Sequence, residues 1–348
     1  MDHRVSIIIP TYNRAALIGR AIRSALAAAS PGDEILVIDD GSTDDTAEAL
    51  RPFGEAIRYF RIENSGPGAA RNLGIRMAGR PLVAFLDSDD EWVPDKLELQ
   101  RKVMEEFPEV VLCFSNVMSK RPDGRVGHDQ ISLWRDDIRV GSDRAPAHLS
   151  GYLGKGVAYS SFARLPEGRA DFNVHVGDMY YPQMEVLYVY GGSVVVRKEL
   201  AGALLRFPED VRLMEDWECW ANIARLGPSA YLDCELAIQH VHSGSRLTTD
   251  VDDIKQVSGR IRVLRRIWGS DPGFLRTHCA RYNELLRTQH IYRAKLLILE
   301  GRLKEAREDL KEVGGPLAYR VIASLPPALV SGLVEMKRKL RGSRVGAS

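Results

Sequence analysis

The chain has 348 residues, 45% hydrophobic and 27% charged, enough to bury a full core in one large domain or two modest ones. Its 48 Lys and Arg against 47 Asp and Glu leave a formal net charge of +1, which supplies no general attraction for nucleic acid. Cys113, Cys219, Cys234 and Cys279 form neither a C-x-x-C pair nor a dense disulfide framework, so buried thiols in a reducing compartment are expected.

Met1-Asp2-His3-Arg4 runs straight into the apolar segment Val5 to Ile9, far shorter than a secretory leader or a membrane span. A cytoplasmic protein is the expectation. From Val5 to about Phe114, short β-branched runs alternate with helical patterns, the signature of a parallel sheet built from crossover units. Strands are predicted at Val5 to Ile9, Glu34 to Ile38, Ile57 to Arg61, Leu82 to Leu86 and Val110 to Phe114. Helices are expected between them, centred near Ile22, Ala47, Ile75 and Val103. The nearly continuous apolar runs suit strands covered on both faces.

Polar loops follow these strands. The first strand leads into Pro10-Thr11-Tyr12-Asn13-Arg14, the second into Asp39-Asp40-Gly41-Ser42, the third into Glu63-Asn64-Ser65-Gly66, and the fourth into Asp87-Ser88-Asp89-Asp90. Carboxyl ends of parallel strands share one edge, so these loops converge there and mark the expected ligand site.

From Ser115 to about Tyr188 the alternation lapses, and an irregular acceptor-side insert is expected. Regularity returns at Gly191 to Arg197, with a helix opened by Met214-Glu215-Asp216-Trp217 and a strand near Ala237 to Val241. Beyond Asp250 the pattern is helical. Ala294 to Val313 reads as a helix pair hinged at Gly301. In the tail from Pro316 to Arg344, Leu325, Leu329, Val330, Leu333 and Val334 accompany Lys337, Arg338, Lys339, Arg341 and Arg344. Pro326-Pro327 argues against a spanning helix there, while peripheral contact with an anionic bilayer and a basic helix packed on the domain both remain open.

Asp87-Ser88-Asp89-Asp90 gathers carboxylates on one short loop, and hard cations such as magnesium or manganese prefer such oxygens. Alone, the same loop is more often a solvated turn capping the next helix. Asp39-Asp40 divides in the same way between a capping turn and an acceptor for a base N–H or a ribose hydroxyl. Gly66-Pro67-Gly68-Ala69-Ala70-Arg71-Asn72 lets backbone approach a ligand closely and turns Arg71 toward phosphate. Glu215-Asp216 is either an acidic helix start or a general base beside a pocket.

Taken in order, these segments are identified by resemblance. Val5-Ser6-Ile7-Ile8-Ile9-Pro10-Thr11-Tyr12-Asn13-Arg14, Val37-Ile38-Asp39-Asp40-Gly41-Ser42-Thr43-Asp44, Ala70-Arg71-Asn72-x-Gly74 and Phe85-Leu86-Asp87-Ser88-Asp89-Asp90 resemble family 2 glycosyltransferases of the GT-A fold. The likeness is strong over residues 5–117 and resumes around Gly191 to His242. It implies an α/β, Rossmann-like, mostly parallel sheet flanked by helices with a C-terminal helical extension. Residues 1–117 would bind the nucleotide sugar, 118–248 would bind the acceptor and carry the base, and 249–348 would form the extension.

The resemblance further implies an inverting transfer from a nucleotide diphosphate sugar, with uridine the favoured base, to an acceptor hydroxyl in a carbohydrate or lipid-linked acceptor of cell-surface polysaccharide or glycolipid synthesis. Pro10, Thr11, Tyr12, Arg14 and Asp40 would line the nucleotide site, and Asp39 would contact the uracil. Arg71 would lie near ribose or diphosphate, and Asp87 with Ser88 would face the ribose. Asp89 would bind a divalent Mn2+ or Mg2+ ion, with His242 placed near it, although Gln239-His240 departs from the family's usual aromatic-basic pair. Asp216 would be the base, with Glu215 beside it. The alternatives are a dehalogenase-type phosphohydrolase or phosphotransferase, a sugar nucleotidyltransferase, and a catalytically inactive carbohydrate-binding GT-A protein. Asp90 and the Pro10-Thr11-Tyr12 turn speak against the first two.

Overall fold

The computed structural model describes residues 2–129, 131, 149–241 and 252–330. These divide into two compact units, one extending through residue 241 and the other beginning at residue 252.

In the first unit, β1 (Val5–Thr11) is buried along its whole length because helices cover both faces of the sheet around it. It runs parallel to β2 (Glu34–Asp39), Ile8 facing Leu36, and to β4 (Leu82–Phe85), Ile8 facing Phe85. β3 (Arg58–Arg61) adds to β2 at the outer edge. The crossovers are α1 (Ile18–Ala28), α2 (Thr46–Leu50) and α3 (Pro67–Met77). Ile18, Ala21, Ile22 and Ala25 form the buried stripe of α1, at the spacing one helix face requires. α3 lies directly on β1: a Cβ added at Gly74 would stand 2.4 Å from Ile8 Cγ2, a clash that overpacking costs place at about 1–3 kcal/mol.

Three features differ from the sequence expectation. β3 is largely exposed rather than covered on both faces, since it ends the strand order. The expected strand at Val110 to Phe114 is the start of β6 (Leu112–Lys120), which does not adjoin β4. Between them lies β10 (Val195–Arg197), antiparallel to both, with Val195 opposite Ala84 and Cys113. The apolar run Val194-Val195-Val196 thus fills the middle of the sheet from a distant part of the chain. The expected strand near Ala237 belongs to the twelve-residue β11 (Ser229–His240), parallel to β6 and bulged between Leu232 and Ala237.

The strand order is β3-β2-β1-β4-β10-β6-β11-β9-β8, where β8 is Val157–Ala158 and β9 is Asn173–Gly177. β5 (Glu91–Trp92) pairs with β11, and β7 (Val126–Gly127) pairs with β6. Part of the expected insert is therefore sheet. α4 (Lys96–Glu106) leads into β6, and Trp220 of the helix Glu215–Ala224 meets Phe85 and Phe207 edge to face, with the three centroids 5.3–5.4 Å apart.

The second unit consists of the helices Asp253–Arg266, Pro272–Leu299, Leu303–Glu312 and Leu317–Ser324 among its described residues. Asp252 and Asp271 cap the first two through Lys255 N and Phe274 N. Leu297, Ile298, Ala306 and Leu310 join across the Gly301 turn, so the expected helix pair is present. His290 and Arg293 share the buried Asp309 carboxylate beside this small core.

Candidate active site

The loops after β1 and β2 are stitched together by side chains. Asn13 adopts φ 51°, a left-handed conformation that Asn tolerates better than most residues, and its Oδ1 accepts the Thr43 amide at 2.7 Å. Its own N–H donates to Ser42 Oγ, and the Arg14 amide donates to Thr46 Oγ1. Pro10 and Thr11, both buried, pair with Ile38 and Asp39, while Tyr12 projects 44% exposed. Thr11 Oγ1 is buried with no hydrogen-bond partner among the described residues.

Asp39 and Asp40 have different surroundings. Asp39 is fully buried, Oδ1 accepting the Ser42 amide at 2.8 Å and Oδ2 the Tyr59 hydroxyl at 2.7 Å. Burial and this carboxylate push the Tyr59 hydroxyl up to about 12. Each Asp39 oxygen carries a second lone pair beyond these bonds. Asp40 accepts the amides of Ser65 at 2.7 Å and Gly66 at 2.9 Å, and so anchors the loop that opens α3.

The third cluster draws on α3, the loop after β4 and a helix from much later in the chain. Arg71 is buried and splits its guanidinium, Nη1 donating to Glu215 Oε1 and Nη2 to Asp87 Oδ1, each at 2.8 Å. Burial alone would lower the Arg71 pKa, but Asp87, Glu215 and Asp216 outweigh it and raise it. Burial, with Asp216 adding to it and Arg71 opposing, lifts Glu215 to about 7. Asp216 is raised by burial, against the opposing Arg71 charge and the Trp217 amide that donates to it at 2.8 Å. Met214, the residue before this pair, is held at φ 60°, which costs a bulky L-residue about 1–2 kcal/mol.

Ser88 is buried between Asp87 and Asp89, and Arg14 Nε lies 3.9 Å from Asp89 Oδ2. Asp90 turns inward, taking the Tyr190 hydroxyl on one oxygen and the His240 amide at 2.9 Å on the other. Burial, then the charges of Asp89 and Asp87, raise its carboxyl well above the usual range. Crowded carboxylates of this kind fit a hard divalent cation that completes its shell with phosphate and water oxygens. No three His, Cys, Asp or Glu side chains among the described residues form a ligand set by themselves. His242 lies outside the described residues, and its neighbour His240 contacts Glu91.

The structure thus brings Arg71, Asp87, Glu215 and Asp216 together, and separately Arg14 with Asp89. Sequence reasoning missed Tyr59, Tyr190 and Asn72. Asn72 binds both backbone polar groups of Phe207 at 2.8 Å and so fixes the approach to Glu215. The Ala70-Arg71-Asn72 motif signalled Asn72, but its partner lies 135 residues away.

The family model described as Glycosyl transferase family 2 matches residues 6–161. That match spans 156 of the 348 residues, less than half of the chain. A glycosyltransferase of Rickettsia conorii, itself named uncharacterized, is 50% identical over 107 residues, 30% of this chain and 18% of the relative. The chain thus matches less than a fifth of that relative's length. Among solved structures, residues 1–349 of S. aureus TarS in complex with UDP-GlcNAc superimpose with TM-score 0.60 at 17% identity, covering 89% of this chain and 80% of that fragment. The mannosyltransferase PcManGT of Pyrobaculum calidifontis, in complex with GDP-Man and Mn2+, gives TM-score 0.51 at 18% identity, covering 92% and 86%. The chain shares the GT-A fold with these two structures.

Proposed function

We propose that the chain transfers a sugar, with inversion, from a nucleotide diphosphate donor to an acceptor hydroxyl, UDP being the favoured nucleotide. The observation that carries this is the Arg71 bridge, which sets the Glu215–Asp216 pair beside the carboxylate loop at the sheet's carboxyl edge. The nucleotide complexes of TarS and PcManGT support the same class of donor.

In this reading Thr11, Tyr12, Arg14 and Asp39 receive the nucleoside, with Pro10 shaping the turn and Asp40 holding the neighbouring loop. Asp87, Ser88 and Arg71 face the ribose and diphosphate. Asp216 takes the proton of the acceptor hydroxyl as that oxygen bonds to the anomeric carbon, and the bond to the diphosphate oxygen breaks with its electron pair leaving on the phosphate. Such a base contributes about a hundred- to ten-thousand-fold in rate. Asp89, with Asp87 nearby, would hold Mn2+ or Mg2+, which as a Lewis acid supplies charge stabilisation to the leaving diphosphate. A dehalogenase-type mechanism would need one carboxylate of the loop as a nucleophile, whereas Asp87 is paired with Arg71 and Asp90 is turned inward.

Thermal shift against a panel of nucleotide sugars, with manganese or with excess chelator, tests the proposal. A selective stabilisation that needs the ion and disappears in Asp89→Ala is expected. Equal stabilisation in chelator would remove the metal from the account, and no shift with any nucleotide would overturn the donor class.

The domain division proposed remains a nucleotide half over 1–117, an acceptor half over 118–248 and a helical extension over 249–348, in a cytoplasmic protein. No helix among the described residues is long and apolar enough to cross a membrane. Peripheral contact of the tail with anionic lipid is proposed from its sequence and from the exposure of Leu317, Val321 and Leu329. The part of the tail from residue 331 lies outside the described residues. The acceptor proposed is a carbohydrate or lipid-linked one of cell-surface polysaccharide or glycolipid synthesis.

A further inference from the structure

We infer that Arg71 is a positioning residue for the base pair, holding Glu215 and Asp216 against the donor-side Asp87; the inference rests on the transferase reading. The Arg71 fork has two hydrogen-bonded anchors from segments 16 and 144 residues away, and each is made at 2.8 Å. Its guanidinium lies 5.3 Å from the centroid of Phe207, so an aromatic face limits it on a third side. The adjacent Asn72 locks Phe207 and also donates to Glu209 at 2.8 Å, which fixes the strand of chain leading to Met214 and the pair. A planar, permanently charged fork is needed to span two carboxylates in this way, and a lysine ammonium offers no such geometry.

Two consequences follow for the reaction. Glu215 and Asp216 are neighbouring carboxylates in a buried setting, where like charges resist joint ionisation. The groups facing them are Arg71 from α3, Asp87 from the loop after β4, and Cys219 one turn along their own helix. Arg71 is the cation of that group and favours the ionised pair, while Asp87 opposes it. Because Arg71 also grips Asp87, the charge that favours the ionised form of the base is held in place by a residue of the donor side. Loss of the guanidinium therefore leaves the pair holding a proton to higher pH and frees the start of its helix to move.

The test compares wild type, Arg71→Lys, Arg71→Met and the paired variant Arg71→Met/Glu215→Gln, which removes both a buried cation and one of its carboxylate partners. Turnover at saturating donor is followed against pH, and UDP binding with manganese is measured by calorimetry. The expected result is a fall in kcat of about tenfold or more, with the acid limb moved to higher pH in Arg71→Met and by less in Arg71→Lys. In the paired variant Asp216 titrates as the remaining member of the pair, again above its wild-type limb. An unmoved acid limb, with UDP affinity lost or kept, would leave Arg71 as a donor-facing residue alone and overturn the inference, as would unchanged turnover. If no donor is turned over by wild type, the transferase reading fails on its own. Carboxyl 13C NMR titration of Glu215 in wild type and Arg71→Lys then decides the positioning role: an upward shift in the variant supports it and an unmoved titration overturns it.

Discussion

Asp216 lies in the first turn of a helix, two residues after Met214 with its left-handed backbone, and burial raises its proton affinity. Replacing it with Asn preserves size and the hydrogen bond from the Trp217 amide while removing basicity. Turnover should fall by about a hundredfold or more with UDP binding nearly unchanged, since the lost interaction belongs to the transition state. Single-turnover transfer alongside calorimetry checks this. Near-normal transfer would move the base elsewhere, and weakened UDP binding would place Asp216 in the donor site. Asp39 and Asp40 show the limit of reading residues singly: adjacent in sequence, one is shared between Ser42 and Tyr59 and the other is spent on loop amides.

At the level of elements, what the sequence made legible was local. β1, β2 and β4, with the helices between them, carry their own signal, because a strand buried on both faces must be apolar throughout and a crossover helix must show a stripe. The helix at Glu215 was legible for the same reason. β10 was not, because nothing in Val195-Val196-Arg197 states that it enters between β4 and β6. Nor was the Arg71–Glu215 bridge, whose two ends share no local pattern. Long-range pairing is decided by packing, and here the small Gly74 that lets α3 touch Ile8 and the Phe85–Phe207–Trp220 cluster supply it.

For the whole molecule, the two remaining proposals concern where it acts and what it does. Flotation with vesicles containing anionic lipid should show binding by the full chain that is lost on truncation after Pro316, and that weakens with salt as basic contacts are screened. Unchanged flotation of the truncated protein would exclude the tail as the contact. The central claim, inverting transfer, is tested most directly by the anomeric configuration of the product. With the donor selected by the panel, NMR of the transferred or hydrolysed sugar should show the opposite anomer to the donor, formed only when the divalent ion is present. A product of retained configuration, or one formed at the same rate in excess chelator, would contradict the account.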